Sequence, residues 1–342
     1  MRSGGSGPVH AAERVPDHRP PVRRHRLCGR EGLGVHDGQG VCARRDPGVC
    51  IHGQRGSAGR EQAGRTRLRR RHGAGKRPPA DRFVRVELVA GNLGFEHNDF
   101  FQEQAVKDAY KTWVSSIVLR NNTVTGVPYR DDPTIFAYNL INEPVCRDCP
   151  PYALQAWIQE MAAFVKGMDS AHLLTVGEEG YSSLTEDRRV YNPGSENNRW
   201  ADTFGQDFMT DHSFDEIDFA TMHAWVDNWK EEHLPELGLG FFVDWIEGHV
   251  EMADELGKPL ILEEFGKTGR GVRDAYFKAA YDAVLDSVAR SRSLVGALYW
   301  QFYVDGQRAD WYPEDPERGP WGVTRADGPH VLTEELADSL ME

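Results

Sequence analysis

The stretch that most constrains this chain is Asp131–Pro144, DDPTIFAYNLINEP. Residues Thr134–Leu140 form a nearly unbroken apolar run that stops at Asn142–Glu143–Pro144. A parallel strand covered by helices on both faces has this composition, because neither face needs polar residues. Such a strand carries Glu143 to the C-terminal edge of its sheet, where Asn142 can hydrogen-bond a ligand and Pro144 stiffens the exit. A second run, KPLILEEFGK at residues 258–267, ends alike and brings Glu264 out beside a Phe–Gly turn. Successive strand side chains point to opposite faces, so the pattern predicts that only one of Glu263 and Glu264 faces the open end of the sheet.

Further apolar runs recur along the chain. The expected strands are Phe83–Val89, Thr134–Leu140, Leu173–Val176, Ile217–Met222, Pro259–Leu262 and Leu294–Trp300. Amphipathic helices are expected between them, over Phe101–Leu119, Ala153–Met168, Phe241–Leu256 and Ala275–Ala289. Trp113 falls in the apolar stripe of the first helix and Val288 in that of the last. Strands alternating with helices at this spacing imply an α/β architecture with a parallel sheet.

Charge divides the chain. Residues 1–82 hold 18 Arg and one Lys against seven acids, a net of +12, which leaves −25 for residues 83–342. All 35 aromatic residues lie from Phe83 onward. A Gly-, Pro- and Arg-rich stretch without aromatics cannot offset its ordering entropy by burial. Residues 1–82 are therefore read as a basic arm, disordered or loosely folded, or as a mistranslated stretch never selected to fold. The Arg67–Arg71 cluster admits an anion-binding reading. Residues 83–342 are read as the catalytic body. Its acidity argues against nucleic acid and anionic lipid as partners. The chain contains no apolar run long enough to cross a membrane, and residues 1–30 lack the apolar segment of a secretion signal. Cys146 and Cys149 form a CxxC step. A loop disulfide or two free thiols are the expected states; a redox or half-zinc site lacks a second Cys/His pair. Asn121–Thr123 fits a glycosylation sequon.

Two carboxyls at the ends of two strands are what glycoside hydrolysis requires. At these residues the chain resembles the retaining endo-β-1,4-mannanases of glycoside hydrolase family 5, in their plant and fungal branch. DDPTIFAYNLINEP, LQAWIQEMAAFVKGMDSAHLLTVGEEG, IDFATMHAW and KPLILEEFGK carry the resemblance, from about Phe83 to Trp300. It implies an α/β fold, a (β/α)8 TIM barrel, with strands three to eight recognisable and the N-terminus incomplete. Phe83–Val89 would be the third barrel strand. The family also places an Arg at the end of its second strand, and residues 1–82 show no segment to supply it. Little turnover is expected of the chain as given.

The resemblance assigns Glu143 as acid/base and Glu264 as nucleophile, and the EFG match selects Glu264 over Glu263. Asn142 is expected to bind the hydroxyl beside the anomeric carbon. His223, at a strand end, can hydrogen-bond the nucleophile or a sugar hydroxyl. Trp300 resembles the aromatic platform beneath the sugar, since apolar sugar faces stack on indole rings. Trp225 and Trp229 are further sugar contacts. Glu178 and Glu179 either bind hydroxyls or form a solvated acidic loop. No cofactor and no metal are implied. The implied partner is a β-mannan-type polysaccharide, met outside the cell by a monomer. A β-1,4-glucanase and an inactive carbohydrate-binding remnant are the alternatives.

Overall fold

A computed structural model of the chain describes residues 94–194, 199–229, 238–269, 271–303, 321–325 and 327–341, with the backbone of three short strands nearer the N-terminus. Phe83–Val89 and the Arg67–Arg71 cluster lie outside the described residues. The short strands are β1 (Gly34–Val35), β2 (Val41–Cys42) and β3 (Val49–Cys50). Helices α1 (Asp99–Gln102) and α2 (Gln104–Val118) come next, followed by β4 (Ile135–Asn142), α3 (Ala153–Met168) and β5 (Leu173–Gly177). The chain continues through α4 (Phe208–Asp211), β6 (Ala220–Ala224), α5 (Leu239–Leu256), β7 (Leu260–Phe265), α6 (Arg273–Ala289), β8 (Leu294–Tyr299) and α7 (Gly328–Met341).

Strands β4 and β5 are parallel, as are β6 with β7 and β7 with β8. Between β5 and β6, Asp218 N donates to Leu174 O at 2.8 Å and the Thr175 hydroxyl to Phe219 O at 2.8 Å. Five strands thus stand side by side in chain order, each reached from the last by a helical crossover, as in the wall of a (β/α)8 barrel. At one edge β3 pairs in parallel with β4. At the other, β2 pairs antiparallel with β8 and β1 antiparallel with β2. The neighbour of β8 among the described residues therefore runs against the sense of the barrel.

Strands β4 to β7 extend further toward their C-terminal ends than the apolar runs predict, while β8 stops at Tyr299, one residue short of Trp300. β4 reaches Asn142, β6 reaches Ala224 and takes in His223, and β7 reaches Phe265 and takes in both Glu263 and Glu264. Polarity marks where apolar burial ends, whereas the backbone ladder continues because the polar side chains at the mouth satisfy one another. The N-terminal helix is broken at Glu103, whose extended backbone (φ −77°, ψ 125°) separates α1 from α2. Trp113 and Val288 sit at the margins of their stripes and are each 41% exposed.

Trp157 on α3 anchors one half of the core. It has no solvent exposure, and its ring centroid lies 5.5 Å from Phe100, 5.6 Å from Phe101 and 5.0 Å from Tyr110. The Tyr110 hydroxyl donates to Leu140 O at 2.7 Å, tying this helical layer to the strand that ends in Glu143. Trp157→Ala should destabilise the fold by about 3–5 kcal/mol, the usual cost of emptying so large a buried site. Urea unfolding followed by circular dichroism measures it, and a cost under about 1 kcal/mol would contradict the packing described.

Candidate active site

The site begins with an irregularity in β7. Met222 pairs with Leu262 and His223 with Glu264, so Glu263 has no counterpart on β6. Against β8, Leu262 pairs with Ala297 and Phe265 with Tyr299, so three steps of β7 span two of β8. An extra residue inserted into a ladder is a β-bulge, and it interrupts the alternation of side chains. Both carboxylates consequently reach the His223 ring, Glu263 Oε2 at 3.5 Å from Nε2 and Glu264 Oε2 at 3.7 Å from Nδ1. Both side chains thus touch one ring, although strict alternation would separate them, while of the two Glu264 is the one that lines the cavity at the mouth.

Glu143 arrives from β4. Its N–H donates to Gly177 O at 2.6 Å, and its φ of 46° places a non-glycine residue in the left-handed region. The turn aims its side chain inward, where Oε1 lies 2.8 Å from His223 Nδ1. His223 has no exposure and faces the carboxylates. The hydrogen bond expected to the nucleophile Glu264 goes to Glu143 instead, with Glu264 3.7 Å from the same nitrogen. Burial disfavours charge on the ring, but Glu264, Glu143 and Glu263 outweigh it and hold the imidazole well above its ordinary proton affinity. Glu264 is pushed up to about 8 by burial, with Glu143 and Glu263 adding repulsion; the His223 cation and a hydrogen bond from Trp225 pull the other way.

One donor atom from each of Glu143, His223 and Glu264 lies within 4.8 Å of the others. Three such groups could share a divalent cation. Both ring nitrogens of His223 already face carboxylates, an arrangement suited to a proton on each.

A cavity of about 540 Å³ opens above these groups. It is lined by Asn142, Glu143, Glu179, Trp225, Trp229, Glu264 and Trp300, all singled out from the sequence. Trp225 fits because Gly266 has no side chain: a Cβ there would lie 2.7 Å from Trp300 O and 2.8 Å from the Trp225 ring. Tyr181, Trp200, Phe204, Asn228 and Trp321 complete the wall, and sequence reasoning missed them. Trp200 and Phe204 sit in the long connection between β5 and β6, where neither periodicity nor a motif marks them; aromatics in an otherwise polar loop were the available signal. That connection is joined to the loop after Glu143, where Cys146 and Cys149 form a disulfide and Cys146 N donates to Phe204 O at 2.8 Å. The disulfide settles the alternatives left open for the CxxC step.

The acidic pair after β5 is not a solvated loop. Glu179 is 6% exposed and accepts a hydrogen bond from Gln206 Nε2. Burial, then Glu143, pushes it up to about 8. Glu178 has no exposure and lies against Asp211. Asp211 Oδ1 accepts from Gln155 Nε2 at 2.8 Å and Oδ2 from Asp207 N at 2.6 Å. Burial, and then the neighbouring Asp211, hold Glu178 well above the usual carboxylate range.

These buried acids set a pH dependence. Unfolded carboxyls release their protons near 4.5, while Glu264 and Glu179 hold theirs until about 8. Across that interval the unfolded state binds fewer protons, so stability falls as pH rises, and the raised His223 acts in the same direction. His212 and His249, buried down to about 4, oppose the trend only below their unfolded value of 6.5. Lys258, lowered to about 8, opposes it above that pH. The urea midpoint should therefore fall between pH 6.5 and 8, and Glu178→Gln, which cannot ionise, should flatten the fall. A midpoint that rises across this window contradicts the assignment.

The family profile described as GH family 5 beta-mannosidase-like matches residues 94–312. Mannan endo-1,4-beta-mannosidase 1 of Arabidopsis thaliana is 39% identical over 238 residues, 66% of this chain and 57% of that protein. Mannan endo-1,4-beta-mannosidase 2 of Oryza sativa subsp. japonica is 38% identical over 232 residues, 65% of this chain and 50% of that protein. The chain thus spans about half the length of the curated relatives it matches. Among solved structures, an endo-beta-1,4-mannanase from Thermotoga petrophila superposes with a TM-score of 0.65 at 30% identity, covering 75% of this chain and 55% of that one. The endo-1,4-beta-mannanase of Rhizomucor miehei superposes with a TM-score of 0.61 at 26% identity, covering 75% of this chain and 67% of that one. A profile matched over more than half of the chain, on a barrel wall that brings Glu143 and Glu264 to one cavity, places this protein in the glycoside hydrolase family 5 β-mannosidase-like family.

Proposed function

We propose that the chain carries the catalytic machinery of a retaining endo-β-1,4-mannanase. The observation that supports this most is the pair of carboxylate oxygens from Glu143 and Glu264, within 4.8 Å at the floor of an aromatic cavity. Retaining glycosidases hold their carboxyl groups about 5–5.5 Å apart, whereas inverting enzymes need about 6.5–9.5 Å to admit a water between them. In the first step Glu264, once it has lost the proton that its buried surroundings favour, attacks the anomeric carbon while Glu143 gives its proton to the departing glycosidic oxygen. In the second, Glu143 takes a proton from water, which attacks the same carbon and frees Glu264. One carboxyl is ionised at each stage. The His223 cation, 2.8 Å from Glu143 and 3.7 Å from Glu264, can compensate either.

Substrate positioning falls to groups lining the same cavity. Trp300 and Trp225 offer faces on which sugar rings stack, with Trp229 behind them. Asn142 lies beside Glu143 and suits the hydroxyl next to the anomeric carbon; Glu179 suits another hydroxyl. The relatives named for mannan support mannan, glucomannan or galactomannan as the backbone class. We read the enzyme as an extracellular monomer. The Cys146–Cys149 disulfide supports an oxidising compartment.

Product analysis after incubation with mannan, cellulose and xylan tests the substrate reading. These tests apply to a version of the protein with all eight barrel strands; there, mannan alone should give a ladder of oligosaccharides, and cleavage of cellulose alone would favour a glucanase. Glu264→Ala should reduce mannan turnover to background, since no glycosyl-enzyme forms. Glu143→Ala should still react with aryl mannosides bearing a good leaving group and then stall at the glycosyl-enzyme. Azide, which needs no general base, should release it as the β-azide. An α-azide, or no rescue with either step, would mean the two roles are misassigned.

A further inference from the structure

The bulge in β7 turns inward a carboxylate that the two-step reaction does not use. We propose that Glu263 is a positioning residue, which holds His223 as an imidazolium and through it fixes Glu143. The proposal rests on the reading of Glu143 given above. Four groups form a continuous chain across three strands. Asn139 Nδ2 on β4 donates to Glu263 Oε1 at 2.9 Å. Glu263 Oε2 on β7 lies 3.5 Å from His223 Nε2 on β6, and His223 Nδ1 lies 2.8 Å from Glu143 Oε1, back at the end of β4.

Each end of this chain is locked. Asn139 Oδ1 accepts from Ile141 N at 3.1 Å, which sets the orientation of its amide and commits Nδ2 to Glu263. Gly177 leaves the space that this amide occupies, since a Cβ there would lie 2.2 Å from Asn139 Nδ2. The backbone of His223 is held by its N–H to Glu179 O at 3.2 Å and by Trp245 Nε1 to its own carbonyl at 2.8 Å. The ring therefore has little freedom to exchange its two nitrogens.

The chemistry follows from which atoms face each other. A neutral imidazole carries one N–H and one lone pair. Here both nitrogens face carboxylates, so a neutral ring would present its lone pair to one of them. A proton on each nitrogen removes that repulsion and makes the ring a donor to Glu143 and a counter-ion to Glu263. Among the described residues, the ionisable groups around the ring are Glu143 from β4, Glu179 after β5, and Glu263 and Glu264 from β7. Of these, Glu263 is the one on the Nε2 side, away from the reacting pair. Without it Nε2 loses its reason to hold a proton, and the ring can take the tautomer that points a lone pair at Glu143.

Titration of His223 tests this without substrate, so a lack of turnover leaves the test intact and the two readings fail separately. In full-length protein labelled with ¹⁵N-histidine, the His223 signals are assigned by their loss in His223→Asn. The wild-type ring should give imidazolium shifts on both nitrogens well above the ordinary histidine titration range. Glu263→Gln, which keeps the shape and the Asn139 contact, should lower the His223 midpoint by about 1–3 pH units, the usual effect of removing one opposite charge. Asn139→Ala, which releases Glu263 from its anchor, should move it in the same direction by less, and covers the case in which Glu263→Gln does not fold. A thermal midpoint that drops in Glu263→Gln while the His223 titration stays put would reduce Glu263 to a structural residue and overturn the proposal. So would a neutral His223 ring at pH 7 in the wild type.

Discussion

Four carboxylates and one imidazole converge where strands β4 to β7 end, and the electrostatics of that convergence governs the rest of the site. Glu179, Glu263 and Glu264 are nearly buried and crowd one ring together with Glu143, so ionising all four at once is costly. The His223 cation offsets part of the repulsion, and protons retained by the buried acids offset more. The same constraint recurs in Glu178 and Asp211, both buried and both raised above the usual carboxylate range, chiefly by burial. Perturbed acids clustered in a cleft mark functional sites, because poised protons are what acid–base chemistry uses.

The scaffold meets this constraint through backbone devices as well as charges. The left-handed conformation of Glu143 and the bulge at Glu263–Glu264 each redirect a side chain that regular strand geometry would place elsewhere. The surrounding packing holds both in place. Trp157 and Tyr110 brace β4 from behind, and Trp245 grips the His223 carbonyl from α5. Lys267 and Asp227, a nearly buried ion pair, join the loops after β6 and β7 on either side of Trp225. The aromatic wall is assembled from loops that are far apart in sequence, with Trp200 and Phe204 on one side and Trp225 against Trp321 on the other.

Much of the fold was legible in the residues. Near-continuous apolar runs located β4, β5, β7 and β8, and the 3.6-residue stripes located α2, α3, α5 and α6 with small shifts in their ends. Strand-end placement pointed to Glu143 and to the Glu263–Glu264 pair, and the family resemblance at the Phe–Gly turn chose Glu264. The same resemblance marked Trp300, while Asn142 and Trp225 neighbour strand ends in the chain.

What the sequence alone determined is therefore local: which segments are strands, which faces of the helices are apolar, and which residues lie at strand ends. The tertiary structure decided whatever depends on a neighbour's register. Alternation predicts that Glu263 and Glu264 diverge, but a one-residue mismatch between β7 and both flanking strands brings them to the same ring. Composition suits Glu178 to water, but folding buries it beside Asp211, which Gln155 holds from elsewhere in the chain. Trp321 joins the cavity through space and not through any motif. Periodicity reports the bonds a residue makes along its own chain, whereas burial, charge and ligand contact are set by groups that only folding brings within a few ångströms.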